Sequence, residues 1–293
     1  MHLERREDAA DQPDEPEILD DDRVDAAVDR VAEEEERIAQ LDLYKIHHFD
    51  NPAKATGLKV LDAEEGLRLA AGKADLAAEK IIEKGLANTT PDIPIIGEEA
   101  AAAGRLPLLE GAEYFWLVDP LDGTREFITG SGDYTVNIAL IHNGVPVLGV
   151  VYAPVPGILY AGFGAGRALK WTEDTGRDKE INVRPAPKEG MTVVASKHHG
   201  DSDKLNEFLE GFKVRKLIRR GSSLKICAVA EGKADLYPRF GPTCEWDTAA
   251  GDAVLRAAGG AIADLDGRPF IYGRQDKKFL NGNFIAAPDW YFA

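Results

Sequence analysis

Trp116-Leu117-Val118-Asp119-Pro120-Leu121-Asp122-Gly123-Thr124 is the run that decides how the chain is organised. Three apolar residues, Trp116 to Val118, read as a strand that delivers Asp119 to its end. Pro120, with no N–H, stops a regular ladder there. Asp122 follows three residues later in a tight turn, so two carboxylates converge on a small volume. Gly123 allows close backbone approach, and the amides and hydroxyl of Gly123-Thr124 suit a phosphate oxygen. By itself a DxxDG run also reads as a capped turn, because Asp and Gly dominate turns.

Two further acidic sites change the weight of that turn. Upstream, Ile95-Ile96-Gly97-Glu98-Glu99 ends another apolar strand with paired carboxylates. Far downstream, Glu245-Trp246-Asp247 precedes Thr248-Ala249-Ala250-Gly251, where Asp247 also reads as an N-cap of the following helix. Carboxylates gathered from three sites repel one another unless cations lie between them, and hard oxygen ligands suit Mg²⁺. Gly221-Ser222-Ser223-Leu224-Lys225 puts two serines at a helix start, where anions are favoured. Lys225 and Arg239 are placed to neutralise a second phosphate. An N-cap serine and solvated cations are the alternative reading of these residues.

Around these motifs the chain divides. Residues 1–22 are acidic and carry Pro13 and Pro16, a composition of a flexible tail. Residues 23–43 repeat Val24, Ala27, Val28, Val31, Ile38 and Leu41 at helical spacing, with Glu33 to Glu36 on a wet face. A second helix is expected at 73–87 on Leu76, Ala77, Ile81 and Leu86. Strands follow at 93–96 and 114–118, then 135–141 and 147–152 flank the hairpin turn Asn143-Gly144, and 158–163 and 168–171 continue the meander. After 190 the pattern alternates: strand 192–195, helix 203–211, strand 214–219, helix 223–231, strand 234–237, helix 248–258, strand 261–264. The expected sub-domains are therefore an α+β unit over 23–185, carrying the Glu98 and Asp119 motifs, and an α/β unit over 186–293.

Composition sets limits on partners. The chain has 293 residues, 44% of them hydrophobic, enough for a sizeable core. Of the net charge of −16, residues 1–42 account for −12, with 17 acids against 5 arginines. The remainder is mildly acidic and has no basic stripe, which argues against a nucleic-acid polymer as partner. Cys227 and Cys244 form no CxxC and no disulfide framework, and no run is apolar enough for a signal peptide or a membrane span. The expectation is a cytoplasmic protein, with monomer and homodimer both open.

In order and spacing, Gly97-Glu98-Glu99, Asp119-Pro120-Leu121-Asp122-Gly123-Thr124 and Trp246-Asp247-Thr248-Ala249-Ala250-Gly251 resemble the three-part signature of the inositol-monophosphatase superfamily. Residues 119–127, 134–141, 149–154, 221–225 and 236–243 resemble its CysQ-like 3'(2'),5'-bisphosphate nucleotidase branch. The resemblance implies an α/β, α+β architecture, a layered α-β-α-β-α sandwich of two sub-domains. Two or three Mg²⁺ would be held by Glu98, Asp119, the carbonyl of Leu121, Asp122 and Asp247. Implied substrate contacts are Glu98, Gly123, Thr124, His199, Ser222, Ser223, Lys225, Arg239 and Asp247.

The implied reaction is in-line attack of water on phosphorus, the water activated by Thr124 with Asp75 and assisted by Glu99. It removes the 3'-phosphate of the nucleotide adenosine 3',5'-bisphosphate and of its sulfated form. Some relatives are assigned to the inner membrane face, where an acidic tail meets repulsion from anionic lipid. Leu69-Ala70-Ala71-Gly72-Lys73-Ala74-Asp75 departs from the family's pattern, keeping only the last Asp, which bears on Asp75 and a third metal. Two alternatives stay open: an inositol or sugar monophosphatase, and a non-catalytic nucleotide- or metal-binding relative.

Overall fold

The computed structural model describes residues 63–164, 166–197 and 202–293. The tail expected at 1–22 and the helix expected at 23–43 lie outside them. The first described element is a long helix, α1 (Ala63–Thr89). It begins ten residues before the expected helix, and of the four expected apolar positions, Leu76, Ala77, Ile81 and Leu86, only Leu86 lies on its buried face. Leu76 and Ile81 are exposed, while Ala71, Ala74, Asp75, Ala78, Glu79, Ile82 and Leu86 are buried. These positions repeat at three- and four-residue steps, so one stripe carries both the apolar contacts and two acids.

A seven-stranded sheet follows: β1 (Ile95–Gly97), β2 (Tyr114–Asp122), β3 (Thr135–His142), β4 (Val145–Ala153), β5 (Ile158–Phe163), β6 (Ala168–Thr172) and β7 (Arg177–Glu180), in sequence order. β1 and β2 are parallel and the rest form an antiparallel meander. The turn at Asn143-Gly144 has positive φ at both residues, as a two-residue hairpin needs. β2 runs past the expected end at Val118: its pairing with β3 shifts register between Asp119 and Asp122 and resumes at Thr135. Pro120 sits inside that irregularity, where no ladder donor is required. β7 was not expected, since Arg177-Asp178-Lys179-Glu180 is wholly charged and exposed.

The second half carries β8 (Met191–Ser196), α4 (Ser202–Leu209), β9 (Val214–Arg220), α5 (Leu224–Ala230), β10 (Tyr237–Arg239), α6 (Glu245–Ala257), β12 (Gly260–Ala263), β14 (Phe284–Pro288) and a C-terminal turn, α7 (Asp289–Phe292). A short pair, β11 (Thr243–Cys244) with β13 (Leu280–Asn281), abuts the start of α6. β8 and β9 are parallel, β10 and β12 flank β14 antiparallel, and a bridge from Val193 to Leu236 joins the two sets. The strand expected at 234–237 is instead Tyr237–Arg239, with Leu236 held by that bridge.

Alternating side chains sort the layers. Trp116, Val118, Ile138, Leu140 and Val150 pack under Ile82 and Leu86 of α1. Phe115, Leu117, Ile141 and Val151, on the opposite face, pack with α5 and α6 and with Phe284 of the second sheet. Val193, Leu236, Ile285 and Ala287 are covered by Phe208, Leu209, Tyr291 and Phe292. The result is helix, sheet, helix, sheet, helix. α6 lies close on the first sheet because β4 and β5 present glycines to it: a Cβ on Gly149 would stand 2.3 Å from the Ala250 carbonyl oxygen, and one on Gly162 2.5 Å from Val254 Cα. Among the described residues no helix is long and apolar enough to cross a membrane, and both cysteines are free.

Candidate active site

The acidic motifs meet where α1, the end of β1, the irregular part of β2 and the start of α6 converge. Glu98 and Glu99 open a five-residue helix, α2 (Glu98–Ala102). Its first amides are capped from outside: Glu79 accepts the N–H groups of Glu99 and Ala100, each at 2.8 Å. Gly97 is required for that approach, since a Cβ there would lie 2.5 Å from the Glu79 carboxyl carbon. Glu79 had no place in the sequence reading. Its signal was an acid on the buried stripe of α1, at i+4 from Asp75.

Asp119 is fully buried; its Oδ1 accepts the Leu121 N–H at 3.0 Å, and its Oδ2 receives no donor. Asp122 Oδ2 accepts the Ser223 N–H at 2.5 Å. Gly123 follows at φ 92°, a left-handed conformation that suits glycine, and starts a five-residue helix, α3 (Thr124–Ile128). The Thr124 hydroxyl donates to the Leu121 carbonyl at 3.4 Å. Asp247 is the third residue of α6, not its N-cap. The helix starts earlier, at Glu245, and Asp247 Oδ2 reaches back to the Cys244 N–H at 2.8 Å. Its neighbour Glu245 is structural, accepting the Arg274 N–H at 3.1 Å and Arg274 Nε at 2.9 Å.

Electrostatics tie these groups together. Burial, then the charges of Glu98, Glu99 and Glu79, push Asp75 up to about 8. Burial raises Glu98 to about 7, with Asp122 and Glu99 adding repulsion and a hydrogen bond to Asp119 opposing it. Burial and then Asp122 raise Asp247 to about 7. Asp119 is held well above the carboxylate range by burial, then by Asp122, Glu98, Asp247 and Asp75. Among the described residues no three His, Cys, Asp or Glu side chains are already drawn together tightly enough to hold an ion. The carboxylates instead face backbone donors and one another. The donor set is nonetheless all oxygen and strongly self-repelling, and Asp119 Oδ2 and Asp75 Oδ1 are buried without a donor. That chemistry fits a hard divalent cation.

Beside the acids opens a pocket of about 300 Å³ whose walls include Asp122, Thr124, Ser222, Lys225, Arg239 and Asp247. Gly123 and Ser223 line it too. Lys225 is buried over the Tyr237 ring, its Nζ 5.4 Å from the centroid, and donates to the Ser222 carbonyl. Burial lowers it to about 8 against the pull of Asp122. The Arg239 guanidinium is buried as well and donates to the carbonyls of Gly241 at 3.3 Å and Pro242 at 3.2 Å. Glu98 lines a neighbouring cavity with Trp246. Asp75 is not bonded to Thr124 among the described residues; Glu99 is one of the acids beside it that raise its pKa. His199 lies outside the described residues.

The sequence profile of the inositol monophosphatase family matches residues 53–291. The 3'(2'),5'-bisphosphate nucleotidase CysQ of Escherichia coli strain K12 is 47% identical over 211 residues, covering 72% of this chain and 82% of that protein. The protein of the same name from Haemophilus influenzae is 30% identical over 75% of this chain and 81% of its own. Among solved structures, CysQ from Bacteroides thetaiotaomicron superposes with a TM-score of 0.62 at 33% identity, covering 87% of this chain and 92% of that one. The inositol monophosphatase from Anabaena gives a TM-score of 0.61 at 26% identity, covering 77% and 85%.

Proposed function

This chain belongs to the inositol monophosphatase family, and from that premise we propose that it is a phosphatase that removes the 3'-phosphate of adenosine 3',5'-bisphosphate. The observation that carries the reading is the single pocket that joins Asp122 and Asp247 to two buried cations, Lys225 and Arg239. An inositol or sugar monophosphate has one phosphate for the acidic end and nothing for the cationic end.

Glu98, Asp119, Asp122 and Asp247, with the Leu121 carbonyl, are the residues that would hold Mg²⁺. When bound there, the ion supplies charge stabilisation to the attacking and leaving oxygens of an in-line displacement. The protein's own groups do the rest. Lys225, Arg239 and the Ser222 hydroxyl bind the 5'-phosphate and fix the nucleotide so that its 3'-phosphate meets the acids. Gly123 and Thr124 present backbone donors to that phosphate. Asp75 and Glu99, neighbouring acids beside Glu98, are the pair we assign to the proton released by the attacking water, with Thr124 orienting that water.

The test is phosphate release with Mg²⁺ from adenosine 3',5'-bisphosphate, inositol 1-phosphate and fructose 1,6-bisphosphate, each repeated with Asp122→Asn. We expect preference for the nucleotide, with a loss in the variant of about a hundredfold or more. Preference for a monophosphate overturns the substrate assignment, and release from none of them overturns the phosphatase reading.

A further inference from the structure

Ser223 stands between the acidic and cationic ends of the pocket, and all of its protons are committed. Its backbone N–H goes to Asp122 Oδ2 at 2.5 Å. Its hydroxyl donates to Asn137 Oδ1 at 2.8 Å, and the Thr135 hydroxyl lies 2.8 Å from the same Ser223 oxygen. Each hydroxyl has one proton. With that of Ser223 on Asn137, the contact with Thr135 is filled by the proton of Thr135. Asn137 Nδ2 approaches Asp122 Oδ2 at 3.5 Å and completes the group around that carboxylate, while the Thr135 oxygen, 3.4 Å from the same atom, has its proton on Ser223. Thr135, Asn137 and Ser223 are all buried.

A phosphate takes donors, and Ser223 has none to give it. Ser222 differs: its oxygen accepts the Leu224 N–H at 3.4 Å, and among the described residues its hydroxyl proton has no assigned acceptor. Resting on the metal reading of the acidic cluster, we propose that Ser223 is a positioning residue for Asp122, and through Asp122 for the divalent cation, rather than a substrate contact. Thr135 and Asn137 lock its orientation from the sheet. The turn that offers Ser222 and Lys225 to the substrate thereby also aims a carboxylate at the metal.

The test compares wild type with Ser223→Ala, Thr135→Val, Thr135→Ser and Ser222→Ala. Two readouts are needed: the Mg²⁺ concentration giving half-maximal thermal stabilisation without substrate, and the preference for adenosine 3',5'-bisphosphate over adenosine 3'-monophosphate at saturating Mg²⁺. Ser223→Ala and Thr135→Val should raise the Mg²⁺ midpoint about tenfold or more and leave the substrate preference within about twofold. Thr135→Ser, which keeps the hydroxyl, should restore the midpoint, and Ser222→Ala should change the preference alone. Should Ser223→Ala fail to fold, the Thr135 pair decides the question. An unchanged Mg²⁺ midpoint with a collapsed preference would make Ser223 a substrate residue and overturn the proposal. An unchanged midpoint with unchanged preference would leave it a plain core contact and overturn it too. Absence of any Mg²⁺ stabilisation in wild type would instead remove the metal reading on which the proposal rests.

Discussion

Lys225 is the residue on which substrate choice turns. An ammonium buried under a tyrosine ring beside Arg239 loses solvation without gaining a full ion pair, which is why its proton is held less firmly than on an ordinary lysine. A dianionic phosphate would supply the missing partner. Replacing Lys225 with Met keeps much of the volume and removes the charge. The expected outcome is a fall in kcat/KM of about 10- to 100-fold for adenosine 3',5'-bisphosphate, with little change for adenosine 3'-monophosphate, measured side by side. Equal losses on both would mean that Lys225 serves the fold or Asp122.

At the scale of elements, α6 is the piece through which fold and site depend on each other. It brings Asp247 to the acids, and it reaches them only because Gly149 and Gly162 leave no side chain in its path. Gly149→Ala is expected to destabilise the protein by about 1–3 kcal/mol, read from the urea midpoint, and to lower activity at saturating Mg²⁺ by moving Asp247.

Elements also mark how far the sequence could be read. The meander from Thr135 to Thr172 was legible because alternation, β-branched residues and Asn143-Gly144 agree with one another. Of the acids proposed to hold the metal, Glu98 and Asp119 stand out in the sequence because each ends an apolar run, whereas Asp247 follows Glu245-Trp246 and reads equally as a helix cap. The orientation of α1 was not, since its most apolar-looking positions, Leu76 and Ile81, face solvent while Asp75 and Glu79 face inward. A local pattern weighs acids as surface residues. Here the amides of Glu99 and Ala100, some twenty residues away, give Glu79 its partners. The closed group of Thr135, Asn137 and Ser223 was hidden for the same reason, being assembled from segments more than eighty residues apart.

Across the whole molecule, the seam between the two sheets concentrates carboxylates whose proton affinities are raised: Asp75 to about 8, Glu98 and Asp247 to about 7. The folded protein therefore holds protons that the unfolded chain has already released above about pH 4. Its stability contribution from these groups is fully present below that pH and is lost as pH rises through their folded-state values near 7 and 8. Thermal denaturation in chelator should show a melting temperature falling by several degrees between pH 5 and 8. Mg²⁺ should remove most of that slope, because a bound cation replaces the protons. A flat profile in chelator would contradict the burial of these acids.

Because α6 is layered between the sheets, order of synthesis matters. A ribosome finishes β7 at Glu180 long before it releases Asp247. Until α5 and α6 emerge, the face of the first sheet carrying Phe115, Leu117, Ile141 and Val151 lacks the cover that the described residues give it in the finished fold. The chain at that stage still lacks Asp247, so the acidic cluster is complete only once α6 has been made.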